Sequence, residues 1–114
     1  MSLAKLRRIA ANARRDILAP HNTALWLDLF GHFVDPDMLN MCKVSTVLIV
    51  MRANRQGVRG ARIAFTKDDK HAFVRWRGWI VDATATQFSS KHPPVAVRRV
   101  DGSRLPYYWK EKRK

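Results

Sequence analysis

Cysteine is nearly absent from this 114-residue chain. Cys42 stands alone, so no internal disulfide can form and a reducing compartment is the default setting. Long apolar runs are missing too: the longest, Val47 to Met51, falls far short of the ~20 residues a membrane-spanning helix requires. Glycine and proline number only 5 each, which excludes a low-complexity or disordered chain. Acid is the remaining scarcity. Against 22 Lys+Arg stand 9 Asp+Glu, a formal net charge of +13. Such a field favours nucleic acid, acidic protein or lipid surface as partner and carries no information about fold. Met1 to Leu18 holds Lys5, Arg7, Arg8, Arg14 and Arg15 with no continuous apolar core. That argues against a signal peptide and for a cytoplasmic protein.

What is present is a globular composition, 46% hydrophobic, in a length that suits one domain. Ser2 can cap a helix in which Leu3, Leu6, Ile9, Ala10, Ala13 and Ile17 recur at three- and four-residue spacing. These gather on one face, the basic residues on the other, and Ala19-Pro20 ends the run. A second helix is predicted from Asn22 or Thr23, carrying Leu25, Trp26, Leu29, Phe30 and Phe33, its aromatics assigned to the core. A third covers roughly Asn40 to Asn54. Asp35 before Pro36 and Asn40 are rival caps for it. Capping by Asn40 places Cys42 in the first turn, where the free backbone N–H groups and the helix dipole favour a thiolate. Capping by Asp35 buries it almost two turns inside.

After Gln56-Gly57 the period changes from helix to strand. Val58 to Phe65 alternates, with Ala61, Ile63 and Phe65 on one side and Arg62 and Ala64 on the other. His71 to Trp76 and Trp79 to Ala83 read as a hairpin closed by Arg77-Gly78. A two-residue loop pairs Trp76 with Trp79. It then sets His71, Phe73, Asp82 and Thr84 on one face, with His71 and Asp82 as diagonal neighbours ~7–8 Å apart at the backbone. Trp76 and Trp79 fall on the opposite face as a core pair. Pro93 to Val100 suggests a further strand at a sheet edge, and Leu105 to Trp109 a possible partner for it.

Cys42, His71 and Asp82 are therefore the cast for a thiolate nucleophile, its general base and the carboxylate that orients the base. The stretch His-Ala-Phe-Val…Gly-Trp-Ile-Val-Asp-Ala-Thr-Ala-Thr-Gln-Phe, His71 to Phe88, resembles the second half of small papain-like cysteine hydrolases. That broad group includes the transglutaminase-like peptidases and several compact bacterial and phage proteins. The resemblance implies a helix that begins at the nucleophilic Cys42, followed by antiparallel strands supplying His71 and then Asp82. Asn40 or the Cys42 N–H is a candidate oxyanion donor. Gln87 either adds a hydrogen bond there or braces the turn after the sheet.

The expected architecture is a single α+β domain of papain-like order, with N-terminal helices packed on a four- to five-stranded antiparallel sheet. Residues 1–39 would form the N-terminal helices, 40–88 the Cys helix and the His/Asp hairpin, and 89–114 the C-terminal strands and basic tail. The leading expectation is a Cys-His-Asp hydrolase or acyl-transfer enzyme acting on a peptide or side-chain amide, with no cofactor. His21, His32 and His92 show no metal-ligand spacing. The rival expectation is a non-catalytic basic module, such as a phage or mobile-element accessory, that binds nucleic acid or a host protein. Arg7, Arg8, Arg14, Arg15, Lys110, Lys112, Arg113 and Lys114 are its candidate anion contacts, with Tyr107, Tyr108 and Trp109 for stacking.

Overall fold

The structure, a computed structural model, describes residues 2–31, 38, 41–101 and 104–112, with the backbone alone at Thr23 and Phe30. Helix α1 spans Leu3–Leu18, and the Ser2 side chain accepts from the Lys5 N–H at 3.1 Å, as its cap. Its buried residues are Leu6, Ile9, Ala10, Ala13 and Ile17, the stripe that the spacing defines. Helix α2 spans Thr23–Phe30 and ends on Gly31, whose φ of 74° needs a residue without a Cβ. Of the aromatics assigned to the core, Trp26 is half-buried against the Ile17, Met38 and Met41 cluster, while Leu25 is 48% and Leu29 61% exposed. Trp26 is tied in, its indole N–H donating to the Ile17 carbonyl at 2.8 Å. An eight-residue helix with leucines at 25, 27 and 29 has apolar groups on more than one side, and packing can cover only one of them. Phe33 lies outside the described residues.

Helix α3 spans Cys42–Arg55 and buries Cys42, Ser45, Thr46, Ile49 and Ala53. Strands β1 (Arg62–Phe65), β2 (Ala72–Trp76), β3 (Trp79–Asp82) and β4 (Ala96–Arg99) form an antiparallel meander in that order. The hairpin register is the one a two-residue loop dictates: Trp76 faces Trp79, Arg75 faces Ile80 and Val74 faces Val81. β4 pairs with β3 at the sheet edge, Asp82 opposite Ala96.

The sheet is covered on both faces. Helices α1 and α3 pack together and onto β2 and β3 through Leu6, Ile9, Ile49, Val74, Trp76 and Val81. The opposite face carries Ala64, Phe73, Ile80 and Ala96, covered by Trp109 with Leu105 and Tyr108 packed around it. β1 is shorter than its alternating pattern but keeps its two sides: Ala61 is buried toward the helices and Ala64 toward the opposite face, while Phe65 is 37% exposed. Both faces being covered removes the inside–outside contrast on which that pattern relied.

No fifth strand forms among the described residues. Tyr107–Trp109 is a 3₁₀ turn, and the tail crosses from the β4 edge to the β1 edge. There Thr66 bridges to Glu111, and the Lys112 N–H donates to the Phe65 carbonyl at 2.7 Å. Glu111 also binds the Arg62 and Arg75 guanidiniums. Among the described residues, no helix is long and apolar enough to cross a membrane.

Candidate active site

Cys42 is the first residue of α3, and Met41 is the capping position. Of the two alternatives, Cys42 takes the first-turn place, but by a different cap: Met41 contributes no side-chain hydrogen bond, and its N–H is taken by the Met38 carbonyl at 3.1 Å. Asp35 and Asn40, the candidate caps, lie outside the described residues, and so does any oxyanion role for Asn40. The start of a helix leaves the N–H groups of Cys42, Lys43 and Val44 without intrahelical acceptors, and the positive end of the dipole lies beside the sulfur.

The two strands deliver the other members. His71 immediately precedes β2 and Asp82 closes β3. His71 Nε2–H donates to Asp82 Oδ2 at 2.8 Å, with the side chains 3% and 2% exposed. Asp82 is held from every side. Its Oδ2 also accepts the Trp109 indole N–H at 2.8 Å, while Oδ1 accepts the Thr84 N–H at 2.8 Å and the Thr84 hydroxyl at 2.9 Å. Gln87 Nε2–H donates to the Thr84 hydroxyl oxygen at 3.1 Å. Gln87 thus braces the residue that holds the carboxylate.

Phe88 meets the His71 ring edge-on at 4.7 Å, and Phe73 lies against it at 5.9 Å, so the imidazole has little room to rotate. Tyr108 stacks on Phe88 at 4.2 Å and shares a 2.5 Å hydrogen bond with His92. His71 Nδ1 is buried and takes no conventional hydrogen bond. The polar group that the imidazole meets besides Asp82 is the Cys42 sulfur, and each shifts the other's titration. As a thiol, Cys42 donates to the Lys70 carbonyl at 3.8 Å.

Burial pushes the Cys42 thiol up, but hydrogen bonds from His71 and the Ala72 backbone, with the His71 charge, outweigh it and bring it below the ordinary value. Burial would lower His71. The Asp82 carboxylate and the Cys42 sulfur prevail, and its pKa rises to about 9. Burial would raise Asp82, and His71, Trp109 and Thr84 hold it below the usual carboxylate range. Both shifts run in the direction of a thiolate–imidazolium pair backed by a carboxylate.

The remaining candidates divide. Arg14 is built into the fold: its guanidinium donates to the Ala83 carbonyl at 2.6 Å, to the Thr86 hydroxyl at 3.2 Å and to the Pro94 carbonyl at 3.3 Å. Arg15 donates to Asn12 Oδ1 at 3.0 Å, and Lys112 pairs with Asp69 at 3.1 Å. Arg7, Arg8 and Lys110 are exposed, while Arg113 and Lys114 lie outside the described residues. Ser45, one turn beyond Cys42, is buried with its hydroxyl unpartnered. Trp109 is the functional residue that the sequence hides, since nothing local ties it to Asp82. Thr84 was within reach: a residue two positions after an aspartate is the usual donor to that side chain.

Among the described residues, no group of three or more His, Cys, Asp or Glu is arranged to hold a metal ion. No family model matches this chain, and no curated protein or solved structure matches it either.

Proposed function

We propose that the protein is a cysteine hydrolase or acyl-transfer enzyme of papain-like order, acting on a peptide or side-chain amide through Cys42, His71 and Asp82. The observation that carries the reading is the buried His71–Asp82 hydrogen bond, whose imidazole couples to the one cysteine at the start of α3. A structural histidine needs no such alignment with a thiol at a helix N-terminus.

In this mechanism the Cys42 thiolate attacks the amide carbonyl carbon, and backbone N–H groups at the start of α3 receive the developing oxyanion. The imidazolium of His71 gives its proton to the departing nitrogen as the C–N bond breaks, leaving a thioester on Cys42. His71, now neutral, takes a proton from water or an acceptor amine that attacks the thioester, the C–S bond breaks, and Cys42 leaves as the thiolate. Asp82 holds the ring in the tautomer this requires and stabilises its cation.

The test is alkylation of Cys42 by iodoacetamide across pH. A thiolate pair gives a rate nearly level from about pH 6 to 8, whereas an ordinary thiol loses about tenfold per unit below its pKa of ~8.5. Because Cys42 is only 6% exposed, the shape of the profile is the readout rather than the absolute rate. His71→Ala should convert the level profile into the steep one. A steep profile in the unaltered protein overturns the proposal.

A further inference from the structure

Two adjoining hollows share Thr66, Asp68 and Tyr107, and one of them reaches His71. The inner one, about 140 Å³, is walled by Phe88, Tyr107 and Tyr108 and ends at His71 and Lys70. Lys70, whose carbonyl takes the Cys42 thiol, and His71, whose titration is coupled to that thiol, are thus neighbours of both the hollow and the nucleophile. The outer one, about 190 Å³, shares Thr66, Asp68 and Tyr107 with it and adds Lys67 and Lys110. At ~30 Å³ per water, the inner hollow has room for roughly four or five water-sized groups, the bulk of one side chain.

The charges around this cleft are one-sided. Lys67, Lys70 and Lys110 are all exposed, and among the described residues none of them makes a salt bridge. The carboxylate in the lining, Asp68, is occupied by its own loop: Oδ1 accepts the Thr66 hydroxyl at 2.7 Å and the Lys70 N–H at 3.0 Å. Its neighbour Asp69 is paired with Lys112. Three ammonium groups therefore surround an aromatic-walled slot with one committed carboxylate to offset them. Aromatic walls receive the apolar stem of a side chain, and ammonium groups at the mouth receive an anionic tip.

We propose that this cleft selects a substrate with an acidic side chain beside the scissile amide, so that the enzyme's substrates are acidic peptide segments. The inference rests on the hydrolase reading above and narrows it.

Two alkylating probes test it: N-chloroacetyl-glutamic acid α-amide and its glutamine counterpart, which differ only in side-chain charge. With each, the Cys42 thiolate forms a bond to the methylene carbon and chloride leaves. The acidic probe should react about tenfold faster, since three exposed charge pairs each contribute a factor of roughly two. Lys67→Gln with Lys110→Gln should remove most of that preference. Arg7→Gln with Arg8→Gln, on α1 across the sheet, makes the same change in net charge and should leave the preference intact. Equal rates for the two probes overturn the acidic-substrate proposal, and so does an equal loss in both double variants, which assigns the preference to the overall field. In either case a level pH profile leaves the hydrolase reading standing. A steep thiol profile instead overturns the hydrolase reading, whatever the probe ratio.

Discussion

Asp82 shows how much one residue can be made to do by its neighbours. Its carboxylate accepts from His71, Trp109 and twice from Thr84, and an ionised acid alone among the side chains can accept on both oxygens at once. Asp82→Asn cannot satisfy that set. If its amide NH₂ occupies the Oδ2 place, it faces the Trp109 N–H and turns His71 Nε2 into an acceptor, forcing the proton to Nδ1, where it blocks proton transfer from Cys42. If NH₂ occupies the Oδ1 place, it meets two Thr84 donors. Burial, the largest influence on His71, then acts without the carboxylate against it, and the imidazole pKa falls. The expected outcome is at least a tenfold loss of alkylation rate near pH 6.5, with the thiol titrating back toward ~8.5. A profile unchanged from that of the parent protein would show that Asp82 serves only the fold.

Among the elements, what the sequence revealed and what it concealed follow a physical line. The face of α1 was legible because Leu6, Ile9, Ala13 and Ile17 bury against one partner layer, so period and burial agree. The hairpin was legible because Arg77-Gly78 leaves only one register that keeps Val74 and Val81 on the helix side, and the His71–Asp82 contact follows from it. The start of α3 was ambiguous because its cap, Met41, has no acceptor side chain to announce it. The tail was not legible at all. Trp109 reaches Asp82 and Lys112 reaches Phe65 across long stretches of chain, contacts that no local period encodes. The tail nevertheless covers a whole face of the sheet, and Trp109 is 2% exposed within it. Trp109→Ala should cost about 3–5 kcal/mol of unfolding free energy, by loss of the buried ring. Trp109→Phe, which keeps a ring and removes one of the two donors to Asp82 Oδ2, should cost about 1–3 kcal/mol. Denaturant midpoints measure both, and values near zero for the pair would mean that the tail is not part of the folded core.

On the scale of the whole molecule, the three titrating groups of the site make stability itself a readout of their charge states. His71 keeps its proton up to about pH 9 in the fold, and an unfolded histidine releases it near ~6.5. Its contribution is thus complete below ~6.5 and lost as pH rises through about 9. Cys42 runs the other way. Its pKa is lowered on folding from 9.0, so its contribution is complete above that value and lost as pH falls through the lowered one. Asp82, also lowered, contributes above its unfolded value of 3.8 and loses that contribution only in acid. From the lowered cysteine pKa up to about 9 the histidine and the cysteine therefore oppose each other, and the stability of the parent protein should change less with pH there. Cys42→Ala removes one arm of the balance. Asp82 alone then sustains the raised His71 pKa, and stability should decline steadily as pH climbs from ~6.5. Urea midpoints taken at intervals over this range separate the cases. A parent curve flatter than the Cys42→Ala curve means that folding lowers the Cys42 pKa, as the pair requires. Parallel curves would mean that the thiol is neutral there and that the pair does not form.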